Sequence, residues 1–244
     1  VPLIAIPTTA GTGAEVTPFS VIKVGSEKVL ISNNILIPSI SIVDYELTLS
    51  KPPMLTAITG MDALCHALEA FVSKKHNMKS DEYAMDALKN IGQSLTQAVV
   101  DPNEKKKKKM MLGSMQAGLA FSNSSVTLVH GMSRPLGRYN IPHGMANAQL
   151  VVPITDFSYS GSKERYETAK NILSPNDNRD IVTYLSDLVD EIGIPLLKDS
   201  VNEKEYNKNI SNMVSEAIKS GSPANNPREI TSQEMKILYK NIIQ

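Results

Sequence analysis

Along the first fifty residues, short apolar or β-branched runs are separated by glycine, proline and asparagine: Leu3-Ile4-Ala5-Ile6, Ser20-Val21-Ile22-Lys23-Val24 and Ile40-Ser41-Ile42-Val43. Runs of this length bounded by turn residues predict strands. From Pro52 onward the period changes. Met85, Leu88, Ile91, Leu95 and Val99 recur at helical spacing, as do Ile181, Tyr184, Leu185, Leu188 and Ile192. Further helices are predicted over 108–121, 163–173, 206–219 and 232–242, the last with Thr231 or Ser232 placed to cap it and Glu234 in its first turn. The pattern thus divides the chain into a strand-bearing part, 1–51, and an all-α helical bundle, 52–244, mainly helical overall. No internal repeat is visible.

Composition narrows the function. The chain has 244 residues, 41% of them hydrophobic, enough for a buried core. Lys+Arg and Asp+Glu both number 25, so the net charge is zero and nothing draws the chain to nucleic acid or an anionic membrane. No apolar run is expected to reach membrane-spanning length, and no signal-peptide pattern opens the sequence. Cys65, the single cysteine, has no partner for an intramolecular disulfide, which points to a reducing cytoplasm. Val1 rather than methionine at the start gives the expectation of a chain that begins partway through a longer polypeptide. The run 105–109 has no interleaved aromatics and sits at a predicted helix start, so it is expected to form a solvated loop or helix face.

Two segments carry candidate chemistry. Pro7-Thr8-Thr9-Ala10-Gly11-Thr12-Gly13-Ala14-Glu15 follows a strand and combines two glycines with three threonine hydroxyls. Small residues let backbone N–H groups approach an anion, which suits a phosphate or a nicotinamide ribose; a tight polar turn explains the same residues. The loop has neither Walker nor GxGxxG order. Lys28 could add a positive charge, although a solvent-facing strand lysine is the common fate.

The second segment is Gly60-Met61-Asp62-Ala63-Leu64-Cys65-His66-Ala67-Leu68-Glu69-Ala70. Asp62 and His66 are four apart, so in a helix they share one face and can share one cation. Met61, Leu64, Cys65 and Leu68 surround them, which implies burial and a need to compensate the Asp62 charge. His130 and His143 lie in a second compact motif, His143 in a Pro-His-Gly context that places it at a turn or helix start. A lone histidine in an apolar stretch is usually a hydrogen-bonded core residue; here three of the four histidines fall in two motifs. One carboxylate with three imidazoles suits Fe²⁺ or Zn²⁺. His76, in a polar run, reads as surface.

At these residues the sequence resembles the iron-containing (group III) alcohol dehydrogenase family. The likeness lies in the Pro7 to Glu15 loop, the Gly60 to Glu69 segment, the His130 to Gly144 segment and the closing Asn226-Pro227-Arg228-Glu229, and it runs nearly end to end. It implies that Asp62, His66, His130 and His143 ligate one divalent metal, iron or zinc. It further implies that Thr8, Thr9, Thr12, Lys28 and Leu47 contact NAD or NADP, that Phe121 lines the substrate pocket, and that the protein forms a homo-oligomer, a dimer or larger. Residues 1–51 would then be an α/β remnant, the C-terminal part of a dinucleotide-binding domain. The family's Gly-Gly-Gly-Ser pyrophosphate loop has no counterpart here, so residues 1–244 alone are expected to be inactive. The His130 to His143 spacing is one residue shorter than the usual pattern, and Arg134 stands where many members carry a histidine.

The activity implied is hydride transfer between a primary alcohol or diol, or the corresponding aldehyde, and a nicotinamide cofactor, with the substrate oxygen polarised by the metal. Two other classes fit the ligand types: a metal-dependent lyase or hydrolase, which leaves the threonine–glycine loop unexplained, and a non-catalytic remnant that keeps the metal as a structural staple.

Overall fold

The computed structural model describes residues 2–24 and 27–243, with the side chains at 23, 24 and 27–29 outside the description. Near the amino terminus, β1 (Ile4–Ala5) pairs in parallel with β4 (Ile40–Ser41), and β2 (Phe19–Val24) pairs antiparallel with β3 (Glu27–Ser32). All three expected strands are present, two of them only two residues long. β3, which carries Lys28, adds a fourth strand to the three expected runs.

Ten α-helices follow among the described residues: α1 (Pro53–Val72), α2 (Met78–Gly92), α3 (Leu95–Val100), α4 (Glu104–Ser124), α5 (Leu128–Ser133), α6 (His143–Tyr159), α7 (Lys163–Leu173), α8 (Ile181–Glu191), α9 (Glu203–Lys219) and α10 (Ser232–Asn241). Helix α1 is the axis of the bundle. Proline at its first position pre-sets the helical φ, and from Gly60 to Val72 every residue is buried. A helix buried on all sides must be wrapped on all sides; α2, α3, α4, α5, α6 and α7 all pack on α1. Burial of Met61, Leu64, Leu68 and Phe71 contributes about 1.5–3 kcal/mol each as an upper estimate. Against expectation, α1 is long and apolar enough to span a bilayer, but 83% of its most apolar 18-residue window is buried inside the protein, as a core helix should be.

Three helix expectations are corrected. The period from Met85 to Val99 is broken: α2 ends at Gly92, and the Ser94 hydroxyl donates to the Asn90 carbonyl before α3 starts. Met85 itself faces solvent. The helix over 108–121 runs further, Glu104–Ser124, because the Asn103 side chain caps it by accepting from the Lys106 N–H. Within it the basic run is not uniformly solvated, since Lys107 is 3% exposed and its Nζ donates to Thr56 Oγ1 at 2.7 Å. The last helix begins at the expected place, with a reciprocal capping box between Thr231 and Glu234.

Candidate metal centre

Asp62 and His66 sit one turn apart on the buried face of α1, 4% and 6% exposed. His130 comes from α5 and His143 is the first residue of α6. All three rings gather on one oxygen: Asp62 Oδ1 lies 3.4 Å from His130 Nε2, 3.6 Å from His143 Nε2 and 4.0 Å from His66 Nδ1. The best donor atoms of Asp62, His66 and His130 all lie within 4.8 Å of one another. His66 and His130 stack with ring centroids 4.3 Å apart, and His143 meets His130 edge-on at 5.2 Å. The His143 side chain, 43% exposed, marks the open side of the cluster.

Close backbone contacts create this convergence. Gly144 lets the start of α6 lie directly on α1: a Cβ there would fall 1.9 Å from the Ile58 carbonyl oxygen and 3.4 Å from Asp62 Cβ. The turn into α5 holds Ser125 at φ 71°, a conformation uncommon for a residue with a Cβ. Asn225 stabilises it by donating to Ser125 Oγ and the Val126 carbonyl, both at 3.1 Å. The neighbouring Asn226, in the closing motif, donates to Ser158 Oγ and the Arg228 carbonyl and so ties down the far end of α6.

Two residues not singled out as ligands or contacts complete the polar interior. Asn147 Nδ2 donates to Asp62 Oδ1 at 2.7 Å and stands 3.1 and 3.3 Å from the Nε2 atoms of His130 and His143. Glu69, 2% exposed, accepts from Thr127 Oγ1 at 2.6 Å and from the Val129 N–H at 2.7 Å through one oxygen, and its other oxygen meets His130 Nδ1. Spacing carried a signal for both: Glu69 lies seven residues beyond Asp62, and Asn147 four beyond His143, each on the helical face of a candidate ligand.

The electrostatics follow from this packing. Burial alone would raise Asp62, but the surrounding imidazoles, His66 first and then His130 through its hydrogen bond, hold its carboxyl well below the usual carboxylate range. Burial likewise opposes ionisation of Glu69, and the His130 ring together with the Thr127 and Val129 donors outweighs it, so its pKa is lowered. His130 loses from desolvation and gains more from the two carboxylates, which raises it to about 9. His66 is pushed down to about 4 by burial, partly offset by Asp62, so its ring is neutral near pH 7.

Two buried polar atoms here lack a hydrogen-bond partner, His66 Nδ1 and Asn147 Oδ1. An orphaned imidazole nitrogen is costly unless something accepts its lone pair. A divalent cation does so, and one carboxylate oxygen with imidazole nitrogens is a donor set for Fe²⁺ or Zn²⁺. The residues fit such an ion.

Comparison with known proteins agrees with this geometry. The profile of the Fe-containing alcohol dehydrogenase family, C-terminal, matches residues 56–243, and that of iron-containing alcohol dehydrogenase matches residues 1–45. The chain belongs to the iron-containing alcohol dehydrogenase family. It is 36% identical to an NADPH-dependent butanol dehydrogenase of Clostridium saccharobutylicum, over 97% of this chain and 64% of that enzyme. It is 33% identical to an NAD-dependent methanol dehydrogenase of Bacillus methanolicus, over 100% of this chain and 66% of that enzyme. Its fold matches the iron-containing alcohol dehydrogenase of Thermococcus thioreducens with a TM-score of 0.93 at 30% identity, over 99% of this chain and 64% of that one. The chain therefore spans about two thirds of the length of these iron-containing dehydrogenases and their relatives.

The other expected site residues of this family member are placed as follows. Phe121 (9% exposed) stacks on His66 at 4.3 Å between ring centroids and on Phe19 at 5.8 Å, forming a wall beside the cluster. Thr8, Thr9 and Thr12 lie on the loop after β1; Thr8 and Thr12 are exposed, Thr9 half-buried, and Thr12 Oγ1 accepts from the Ala14 N–H. The loop is seated on α4 by Gly13, whose φ is +60° and whose added Cβ would fall 2.6 Å from the Cα of Gly118. Leu47 is 40% exposed in a 3-10 turn, Tyr45–Thr48. Lys28 is paired in β3 with Lys23, and its side chain lies outside the described residues. His76 is exposed as expected and pairs with Asp81.

Proposed function

We propose that the chain is the metal-binding part, with a portion of the nucleotide-binding part, of an NAD(P)-dependent alcohol dehydrogenase that moves hydride between a small primary alcohol or diol and its aldehyde. The observation that carries this reading is the approach of three imidazoles to Asp62 Oδ1, with the buried His66 Nδ1 left without a partner. Asp62, His66, His130 and His143 are the proposed ligands. When bound, a ferrous or zinc ion would supply a Lewis acid that lowers the pKa of an alcohol oxygen, so hydride can depart at neutral pH, and polarises the aldehyde carbonyl in reverse.

The chain's own residues prepare the site. Asn147 orients Asp62 by donating to Oδ1. Phe121 packs flat on His66, fixing that ring and excluding water from its buried side. The exposed edge at His143 leaves the approach for substrate. Thr8, Thr9, Thr12 and Leu47 lie at the surface of the segment 1–51, where they are proposed to contact the nicotinamide cofactor with Lys28. That segment is inferred to be the back part of a dinucleotide-binding domain; its support is the parallel β1–β4 pair and the separate family match over residues 1–45. The remainder, 52–244, is the helical domain, matched over 56–243. The one cysteine, free and buried, supports a cytoplasmic setting, and family likeness supports a homo-oligomer.

The test is elemental analysis of the purified chain together with a scan of alcohols and aldehydes against NAD and NADP in the longest reading frame containing it. Expected are one iron or zinc per chain and turnover with small primary alcohols, and loss of both in Asp62→Ala. Stoichiometric metal and undiminished turnover in Asp62→Ala would falsify the assignment.

A further inference from the structure

We propose that Glu69 is a positioning residue of the cation centre, turning His130 so that its Nε2 faces Asp62 and adding a second negative charge next to the ligands. The proposal rests on the metal-site reading above and deepens it.

Glu69 shares the face of α1 that carries Asp62 and His66, the three lying at i, i+4 and i+7. A glutamate 2% exposed is rare, and here both oxygens are engaged. All three groups that reach it are donors or can become donors: a hydroxyl, a backbone N–H and an imidazole nitrogen. Thr127 occupies the N-cap position of α5, yet its side chain makes no capping bond within that helix. Its hydroxyl is turned to Glu69 instead, and the Val129 N–H, one of the orphan donors at a helix start, goes to the same carboxylate oxygen. Glu69 thus caps α5 from another helix and sets the position of its third residue, His130.

The second oxygen fixes the ring. An ionised carboxylate can only accept, so the nitrogen facing it, Nδ1, carries the hydrogen, and Nε2 is left to face Asp62 at 3.4 Å. This is the carboxylate–histidine pairing that orients metal-ligating imidazoles and strengthens them as donors. Charge gives a further reason for glutamate. With a metal bound the imidazoles are neutral and Asp62 supplies the one negative charge among the ligands, so a divalent ion needs one more to be neutralised in a buried site. Glutamine would fill the same volume and still accept from Thr127 and Val129, but its amide would point a donor at Nδ1. His130 would then carry its hydrogen on Nε2, the atom that must bind.

The experiment measures Zn²⁺ affinity of the full 244-residue chain by competition with a chromophoric chelator, for wild type, Glu69→Gln, His130→Ala and the double variant. Glu69→Gln is expected to weaken binding 10- to 100-fold, the range for removing an outer carboxylate partner. In the His130→Ala background the same change is expected to have less than a threefold effect, because Glu69 acts through that ring; a structural role would persist there. A Glu69→Gln affinity within twofold of wild type, or an undiminished effect without His130, overturns the proposal. If Glu69→Gln fails to fold, ring ¹⁵N chemical shifts of the zinc-loaded wild type decide: Nδ1 protonated and Nε2 on the metal is expected, and ligation through Nδ1 overturns it. Asp62→Ala separates the two levels. Unchanged zinc binding in that variant defeats the metal-site reading and this proposal together, whereas loss there with no loss in Glu69→Gln defeats this proposal alone.

Discussion

Gly144→Ala tests whether the α1–α6 contact sets the geometry of the centre. The added methyl would fall 1.9 Å from the Ile58 carbonyl oxygen and 2.7 Å from its carbon, both backbone atoms that cannot rotate aside. Relief to an ordinary separation near 3.5 Å requires the start of α6 to withdraw by about 1.5 Å. His143 precedes Gly144, so its Nε2, now 3.6 Å from Asp62 Oδ1, would move to about 5 Å if the shift lies along that line. Forced overpacking costs about 1–3 kcal/mol, and the better helix propensity of alanine returns at most about 1 kcal/mol of that. The expected outcome is a loss of about 1–2 kcal/mol in urea unfolding and a tenfold or greater drop in Zn²⁺ affinity by chelator competition. A variant with wild-type unfolding midpoint and zinc affinity within twofold would refute the idea that this contact holds His143 to the cluster.

Other perturbations separate the roles of neighbouring groups. Phe121→Ala removes a ring stacked between Phe19 and His66; a loss of about 3–5 kcal/mol in chemical denaturation is expected, and a loss below 1 kcal/mol would mean that the wall is not packed as described. Lys107 is buried with its ammonium on one hydroxyl, Thr56 Oγ1. Burial pushes its pKa down, so Lys107→Met should leave stability within about 1 kcal/mol of wild type or raise it, and a loss above 2 kcal/mol would show that the charge is needed. Asp177 is pulled down to about 2 by hydrogen bonds from the Arg179 side chain and N–H. A carboxyl depressed on folding stabilises above its unfolded pKa near 4 and loses that contribution as the pH falls towards 2. Asp177→Asn should therefore be less stable than wild type at pH 7, with the gap closing between pH 5 and pH 2; a gap independent of pH would contradict the charge-based account.

Residue types made the chemistry of the site legible, and spacing made half of its geometry legible. Asp62 and His66 could be placed together because four residues is one helical turn, and helix α1 could be recognised as buried because its neighbours are apolar on every side. Nothing local relates residue 62 to residues 130 and 143. That meeting depends on where α5 and α6 cross α1, and the determinants are contacts such as Gly144 on Ile58, which leave no periodic trace. The same holds for the break after Gly92. Leu95 and Val99 continue the apolar period of α2, yet the helix stops at Gly92, where an added Cβ would fall 2.2 Å from the Leu173 carbonyl oxygen at the end of α7. Lys107 was misjudged with its neighbours because charge runs reveal composition, whereas the orientation of one lysine depends on helix phase relative to α1. By contrast, the capping box at Thr231 was visible because both partners are within four residues.

The arrangement also explains why the two carboxylates of the centre belong to one helix. Asp62 and Glu69 stand two turns apart on α1, and His130 reaches both, with Nε2 towards the first and Nδ1 towards the second. A single imidazole thereby joins the ligand end of α1 to the end that caps α5. Moving α5 along α1 by one residue would break the Val129 and Thr127 bonds to Glu69 as well as the approach to Asp62. The register of α5 and the placement of His130 are therefore set by the same side chain, so a change that loosens one must loosen the other. Asn147 plays the matching part for α6: it lies one turn after His143 and donates to Asp62. Each helix that brings a histidine to the centre is thus tied to α1 by a hydrogen bond independent of that histidine.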